Sequence, residues 1–220
     1  KDDVALVPIA LKDAWAKKLS GVTLTDIKLV TFQNKEKQAV GEGELLFTHF
    51  GISGPTVLDM SKDIGDLLRE GEVVIRLDLF PKKDHEALKQ ELQTILVAES
   101  NKKIKNTLGN LIPSALAAEL LELAGVDGET FNHSVRHEER VKLVALIKNI
   151  SLNVKGLLGK DKAVVSSGGV APAEVDFKTM QSRLVPNLFI VGDVLNIDRP
   201  SGRYSLQLCW TTGFVAGSSC

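Results

Sequence analysis

Asp193 follows a continuous apolar run, Leu188 to Val191, with Gly192 between them. An uninterrupted apolar stretch of this length reads as a fully buried parallel strand. In open α/β sheets, ligands bind beyond the carboxyl ends of such strands. Gly192 would let a ligand approach the backbone, and Asp193 would set a carboxylate beside it. After a loop, Asn196 to Arg203, comes a second apolar segment, Tyr204 to Ala216, long enough for about three helical turns. Its first turn, made by Gly202, Arg203, Tyr204, Ser205, Leu206 and Gln207, would aim backbone N–H groups and the positive dipole end back toward Asp193. A carboxylate and a helix N-terminus facing one gap suit a ligand with hydroxyls beside a partly anionic ring, such as the ribityl chain and pyrimidine edge of a flavin. The plain alternatives are an Asp193 that caps the next loop and an ordinary helix start with Ser201 or Ser205 near the cap.

Other residues with chemical potential are weighed the same way. Gly168, Gly169 and Val170 follow a short apolar stretch ending in Ser166-Ser167; they read either as a glycine turn or as bare backbone lining a cofactor cavity. His49, in Thr48-His49-Phe50-Gly51-Ile52-Ser53-Gly54-Pro55, is a candidate general acid or carbonyl-binding group. Against that stands a structural histidine before the helix that starts near Thr56. His133 and His137 have the i, i+4 spacing of helical metal ligands but lie in a polar stretch with no Glu at the zincin position, so they read as solvated surface, and no metal site is expected. Cys209 has no C-x-x-C partner, which removes the case for a redox dithiol. Any redox chemistry would then rest on a bound cofactor.

Three stretches, in order, resemble the bacterial NAD(P)/FAD-dependent oxidoreductases of the YhiN/BaiN type: Gly43 to Pro55 (GELLFTHFGISGP), Ser166 to Phe189 (SSGGVAPAEVDFKTMQSRLVPNLF) and Val191 to Gly217 (VGDVLNIDRPSGRYSLQLCWTTGFVAG). The resemblance implies FAD as cofactor and NAD(P)H as possible reductant, with Asp193 toward the ribityl chain and the 202–207 turn toward the flavin ring. The family usually reads Gly-Gly-Tyr at that turn; here the second position is Arg203. Arg203 would either bring a cation to the pyrimidine edge or obstruct it, and Arg203→Gly is expected to raise flavin affinity. No G-x-G-x-x-G fingerprint occurs, since Leu46 stands where a third glycine would follow Gly41 and Gly43. The chain opens on Lys1 and stops at Cys220, and both ends read as cut. The resemblance implies an N-terminal FAD-binding half of the same protein as partner, together with a small-molecule substrate.

The bounds agree with a soluble protein. With 220 residues, 44% apolar and 25% charged, the chain has the composition of an ordinary globular protein. A net charge of −1 gives no electrostatic case for nucleic acid or an anionic membrane. No apolar run reaches membrane-spanning length, no secretory signal is visible, and cysteine usage fits a reduced, cytoplasmic setting.

Periodicity supplies the elements. Strands are expected at 4–10, 22–30 (with a change of phase near Thr25-Asp26), 38–47, 72–79, 151–154 and 163–166. Helices are expected at about 12–19, 56–68, 84–98, 113–123 and 138–147. The fold class is therefore mixed α and β: a small β-barrel with a helical subdomain, then the C-terminal strand–loop–helix of a Rossmann-like FAD-binding domain. The expected domains are 1–82 with 151–165 (barrel), 83–150 (helical insertion) and 166–220 (FAD-domain part). The expected function is that of a fragment of an FAD-dependent oxidoreductase, itself inactive, whose whole protein passes hydride between NAD(P)H or a small organic substrate and FAD. The rival expectation is an interaction module for protein or RNA with degenerate flavin binding.

Overall fold

The computed structural model describes residues 3–162, 165–197 and 204–219. In chain order the first elements are β1 (Asp3–Ala5), β2 (Ile9–Leu11), α1 (Ala14–Lys18), β3 (Thr23–Gln33), β4 (Glu36–Thr48), β5 (Gly51–Ser53), α2 (Pro55–Glu70) and β6 (Val74–Asp78). They are followed by α3 (His85–Ala98), α4 (Ile104–Leu108), α5 (Ser114–Ala124), α6 (His137–Lys148) and β7 (Ile150–Leu157). The last are β8 (Val165–Ser167), β9 (Val175–Asp176), β10 (Gln181–Ser182) and α7 (Tyr204–Gly217). The chain divides into two units, Pro8–Leu157 and Lys1–Val7 with Leu158–Cys220.

In the first unit, alternation of apolar and polar residues builds a closed barrel with strand order β2-β5-β4-β3-β6-β7, antiparallel throughout. Closure leaves no unpaired strand edge. Leu29, Leu45, Phe47, Ile52, Ile75, Leu77 and Leu152 point inward and are fully buried. The change of phase anticipated near Thr25-Asp26 is a register shift between Leu24 and Ile27, with Asp26 at φ 54°. A second shift, between Val30 and Phe32, is sealed by buried Thr31: its hydroxyl accepts from the Ala39 N–H at 2.9 Å and donates to the Ala39 carbonyl at 3.2 Å. Helix α2 starts at Pro55 and lies across β4. Gly41 permits this approach, because a Cβ there would stand 2.5 Å from Met60 Sδ. The Thr56 hydroxyl accepts from the Glu44 N–H at 2.8 Å, fixing the helix start to the strand.

The helices α3 to α6 fill the connection between β6 and β7. In α3, Leu88, Leu92 and Leu96 recur every four residues and are buried, each such burial stabilising by about 1.5–3 kcal/mol. Asp84 caps the helix by accepting from the Ala87 N–H at 2.8 Å. Gly125 ends α5 in the left-handed conformation. On the surface of this block, hydrogen bonds from Lys103 and Lys105 hold the Glu129 carboxyl down at about 2. The block is fastened at its root by Lys148, whose side chain is 8% exposed. Its ammonium lies 2.6 Å from Asp78 and donates to the carbonyls of Phe80 (2.7 Å) and Lys83 (2.5 Å).

The second unit is lightly cored. β1 pairs antiparallel with β8, and β9 with β10. Val175, Met180, Leu195 and Ala216 form its buried centre, with Val170, Phe189, Ile190, Ile197 and Val215 packed around them.

Three expectations are corrected. The single strand at 4–10 is two short strands in different units, because Leu6 takes a positive φ of 55° and Pro8 follows. The apolar run 188–191 is not a buried strand: Phe189 makes one antiparallel bridge to Gln181, and Leu188 and Val191 are exposed. A run of this kind is buried only where other strands flank it, and no described strand lies alongside this one in parallel. No strand is expected at Gly51 to Ser53, yet these residues form β5, which at three residues shows no period.

Candidate functional site

In the second unit, three of the sequence-predicted segments come together. The first, 168–170, leaves β8 with Gly168 and Gly169 both at positive φ, 111° and 128°. The second is a 3-10 turn, Gly192–Val194, which displays Asp193 to solvent. A parallel bridge between Val170 and Leu195 joins them, with Val170 N–H donating to the Val194 carbonyl and Asn196 N–H donating to the Val170 carbonyl, each at 2.9 Å. A Cβ on residue 169 would meet the Val194 carbonyl oxygen at 2.2 Å, so only glycine permits this crossing.

The third segment is α7. Gly192, at φ 72°, donates its N–H to the Thr212 hydroxyl at 2.9 Å, and that hydroxyl donates to the Leu208 carbonyl at 2.6 Å. Thr212 is 4% exposed, and Cys209 lies against Gly192, its sulfur 3.0 Å from where a Cβ on that glycine would stand. The helix therefore holds the turn that carries Asp193. Tyr204, Ser205, Leu206 and Gln207 form its first turn; Tyr204, Leu206 and Gln207 are exposed, and the Gln207 amide donates to the Thr211 hydroxyl at 3.0 Å. Gly202 and Arg203 lie outside the described residues.

This arrangement can do two things chemically. An exposed carboxylate accepts hydrogen bonds from hydroxyl groups, and a helix N-terminus stabilises a nearby negative charge by about 0.3–1 kcal/mol. Gly168 has open space where a side chain would stand, while Gly169 packs on the Val194 carbonyl and Val170 is hydrogen-bonded through both its N–H and its carbonyl. The donor set fits a polyhydroxylated, partly anionic ligand of the flavin kind. Sequence reasoning missed Thr212, the residue that ties turn to helix. Its signal was a hydroxyl among the apolar residues of a buried helix face.

The other candidates stand apart. His49 is in the first unit, exposed in the two-residue turn between β4 and β5, with its ring edge-on to Phe50 at 4.8 Å. His133 and His137 do not share a helix. His133 sits in a 3-10 turn, stacked on Phe131 with its Nδ1 at 2.9 Å from the Ser100 carbonyl, and His137 opens α6. Among the described residues, no group of three or more His, Cys, Asp or Glu is placed to hold a metal ion, and no helix is long and apolar enough to cross a membrane.

A closed barrel interrupted by one helical block defines a recognisable class, and comparison with known proteins identifies it. Residues 4–165 match the family described as HI0933-like protein barrel and H2TH domain, and the chain belongs to this family, that of the YhiN/BaiN-type flavoproteins. It is 30% identical over 214 residues, 97% of its length, to the 3-dehydro-bile acid delta(4,6)-reductase of Clostridium scindens. It is 29% identical to the ribosomal RNA dihydrouridine synthases of Escherichia coli, over 96% of the chain, and of Haemophilus influenzae, over 98%. The chain spans about half the length of these relatives: 52%, 50% and 51% respectively.

Proposed function

We propose that this chain supplies one wall of an FAD site in an oxidoreductase that saturates a carbon–carbon double bond conjugated to a carbonyl in a small organic substrate, with NAD(P)H as reductant. The observation that carries the reading is the bridge that sets Gly169-Val170 against Val194–Asn196, with Asp193 displayed on a turn that α7 holds through Cys209 and Thr212. The names of the relatives support the reaction class. Loss of delta(4,6) unsaturation from a 3-dehydro steroid and conversion of uridine to dihydrouridine are both additions of hydride and proton across a conjugated double bond.

When bound, the flavin would supply hydride transfer. The chain's own residues do the rest. Asp193 accepts hydrogen bonds from the ribityl hydroxyls, and the exposed backbone at Gly168 and Gly169 lines the cavity, with Val170 holding it against Val194–Asn196. The N–H groups at the start of α7, near Tyr204 to Gln207, face the electron-rich edge of the ring. His49, exposed in the β4–β5 turn of the first unit, is a candidate general acid. The remaining half of the whole protein is the partner that completes the pocket, a role supported by the apolar surface of α7, where Trp210 is 66% and Phe214 76% exposed.

The test is the visible spectrum of the whole protein before and after anaerobic NADPH. Flavin bands that bleach are expected, and Asp193→Ala should weaken FAD binding by about tenfold to a hundredfold, the worth of a hydrogen bond to a charged group. A colourless protein that takes up no added FAD overturns the reading.

A further inference from the structure

The outer wall of the barrel carries a second place built for a ligand. Where β3, β6 and the start of β7 run side by side, a groove of about 600 Å³ is lined by Phe32, Asn34, Lys35, Glu72, Val74, Arg76 and Asn149. That volume lies in the range of small-molecule sites, roughly 300–1,000 Å³. The pairings Phe32↔Val74 and Val30↔Arg76 put the Phe32 ring and the Arg76 guanidinium on the same, outward face of the sheet. Arg76 is half-buried between inward-facing Ile75 and Leu77, yet its guanidinium has no ion pair or side-chain hydrogen bond among the described residues. The carboxylates within reach are already engaged, Asp78 by Lys148 and Glu72 by Lys12. Its nitrogens remain open to water, so the guanidinium is a solvated cation with its planar fork available to an anion in the groove.

The turn above the groove is also unusual. Asn34 and Lys35 are the two residues of the β3–β4 hairpin turn and both take positive φ, 51° and 67°. Glycine is the favoured residue at the second of these positions. A lysine there is held against its backbone preference, and the strain places a second cation at the mouth of the groove. Like Arg76, Lys35 has no carboxylate partner among the described residues.

We propose that this groove binds a nucleotide by its phosphate. Arg76 grips the phosphate oxygens in its planar fork, Lys35 adds a point charge, Phe32 offers a face on which the base stacks, and the amides of Asn34 and Asn149 hydrogen-bond to sugar or base. The near-neutral charge of the whole chain does not oppose this, because the site depends on two local cations whose neighbouring carboxylates are taken. The same chemistry serves a phosphate in an RNA strand or in a free dinucleotide. The inference is independent of the flavin reading and stands or falls separately.

The test uses the full chain with two probes, a fluorescently labelled oligouridylate and NADPH, each titrated at several salt concentrations. Arg76→Gln and Lys35→Gly should each weaken binding by about fivefold or more, and each should lower the slope of log affinity against log salt by about one. Lys35→Gly separates binding from folding: it relieves the positive φ, so the melting temperature holds or rises while affinity falls. Binding of the oligonucleotide alone identifies a strand, of NADPH alone a dinucleotide, and of both a shared phosphate seat. If neither probe binds, or both variants bind as tightly as the parent, the proposal is wrong.

Discussion

The barrel unit and the C-terminal unit treat apolar surface in opposite ways. In the first, strand closure and the helical block cover the apolar side chains, and the core runs unbroken from Ile9 to Val154. In the second, the buried apolar side chains among the described residues are Leu6, Val7, Val175, Met180, Leu195 and Ala216, while Leu184, Val194, Leu206, Trp210 and Phe214 are each more than half exposed. Exposed apolar residues scattered singly are ordinary, but a helix that displays residues 206, 210 and 214, spaced one turn apart, presents a stripe. The lesson is that one unit buries its apolar surface within itself, while the other leaves a stripe of it exposed on α7.

This contrast can be broken or sharpened by experiment. The largest effect should come from Lys148→Met, which strands Asp78 without its cation and frees the carbonyls of Phe80 and Lys83. Losing one partner of a buried pair costs about 3–5 kcal/mol, read as a lower urea midpoint of the first unit. An unchanged midpoint would mean that the helical block does not depend on this anchor.

Hydrogen exchange should show a difference next in size. Amides of residues 166–197 and 204–219 are expected to exchange more than about a hundredfold faster than those of β3, β4 and β6, because the exchange energy follows local burial. Uniform strong protection of both units in a monomer would erase the comparison. The smallest effect belongs to Trp210→Gln, which should change the stability of this chain by no more than about 0.5 kcal/mol, as for other exposed positions. The same variant should remove the more strongly acrylamide-quenched part of the fluorescence, leaving half-buried Trp15, which packs against Phe47. Strong quenching that survives the substitution would show that Trp15 and not Trp210 is open to solvent.

How far the sequence could be read follows from the range over which each signal acts. The hairpin of β3 and β4 was legible, bulge included, because alternation over ten or so residues records which face is buried. The helix starts at Pro55 and Asp84 were legible because capping chemistry is local. β5 and α4 were too short to establish a period. The run 188–191 misled because burial belongs to neighbours as much as to the segment itself. In the candidate site, Asp193 stood out by type and position, whereas the need for glycine at 169 arises from a carbonyl at Val194, far along the chain. No spacing rule could have joined those two residues, and the hydrogen bond from Gly192 to Thr212 was hidden for the same reason.

The helical block also has a topological meaning. β6 and β7 are adjacent antiparallel strands, paired through Leu77↔Ile150, so everything from residue 79 to residue 149 occupies what would otherwise be a hairpin turn. The barrel's hydrogen-bond ladder is complete without it. The block is thus an insertion carried at a loop position, joined to the barrel by one continuous apolar core and by the Asp78–Lys148 pair.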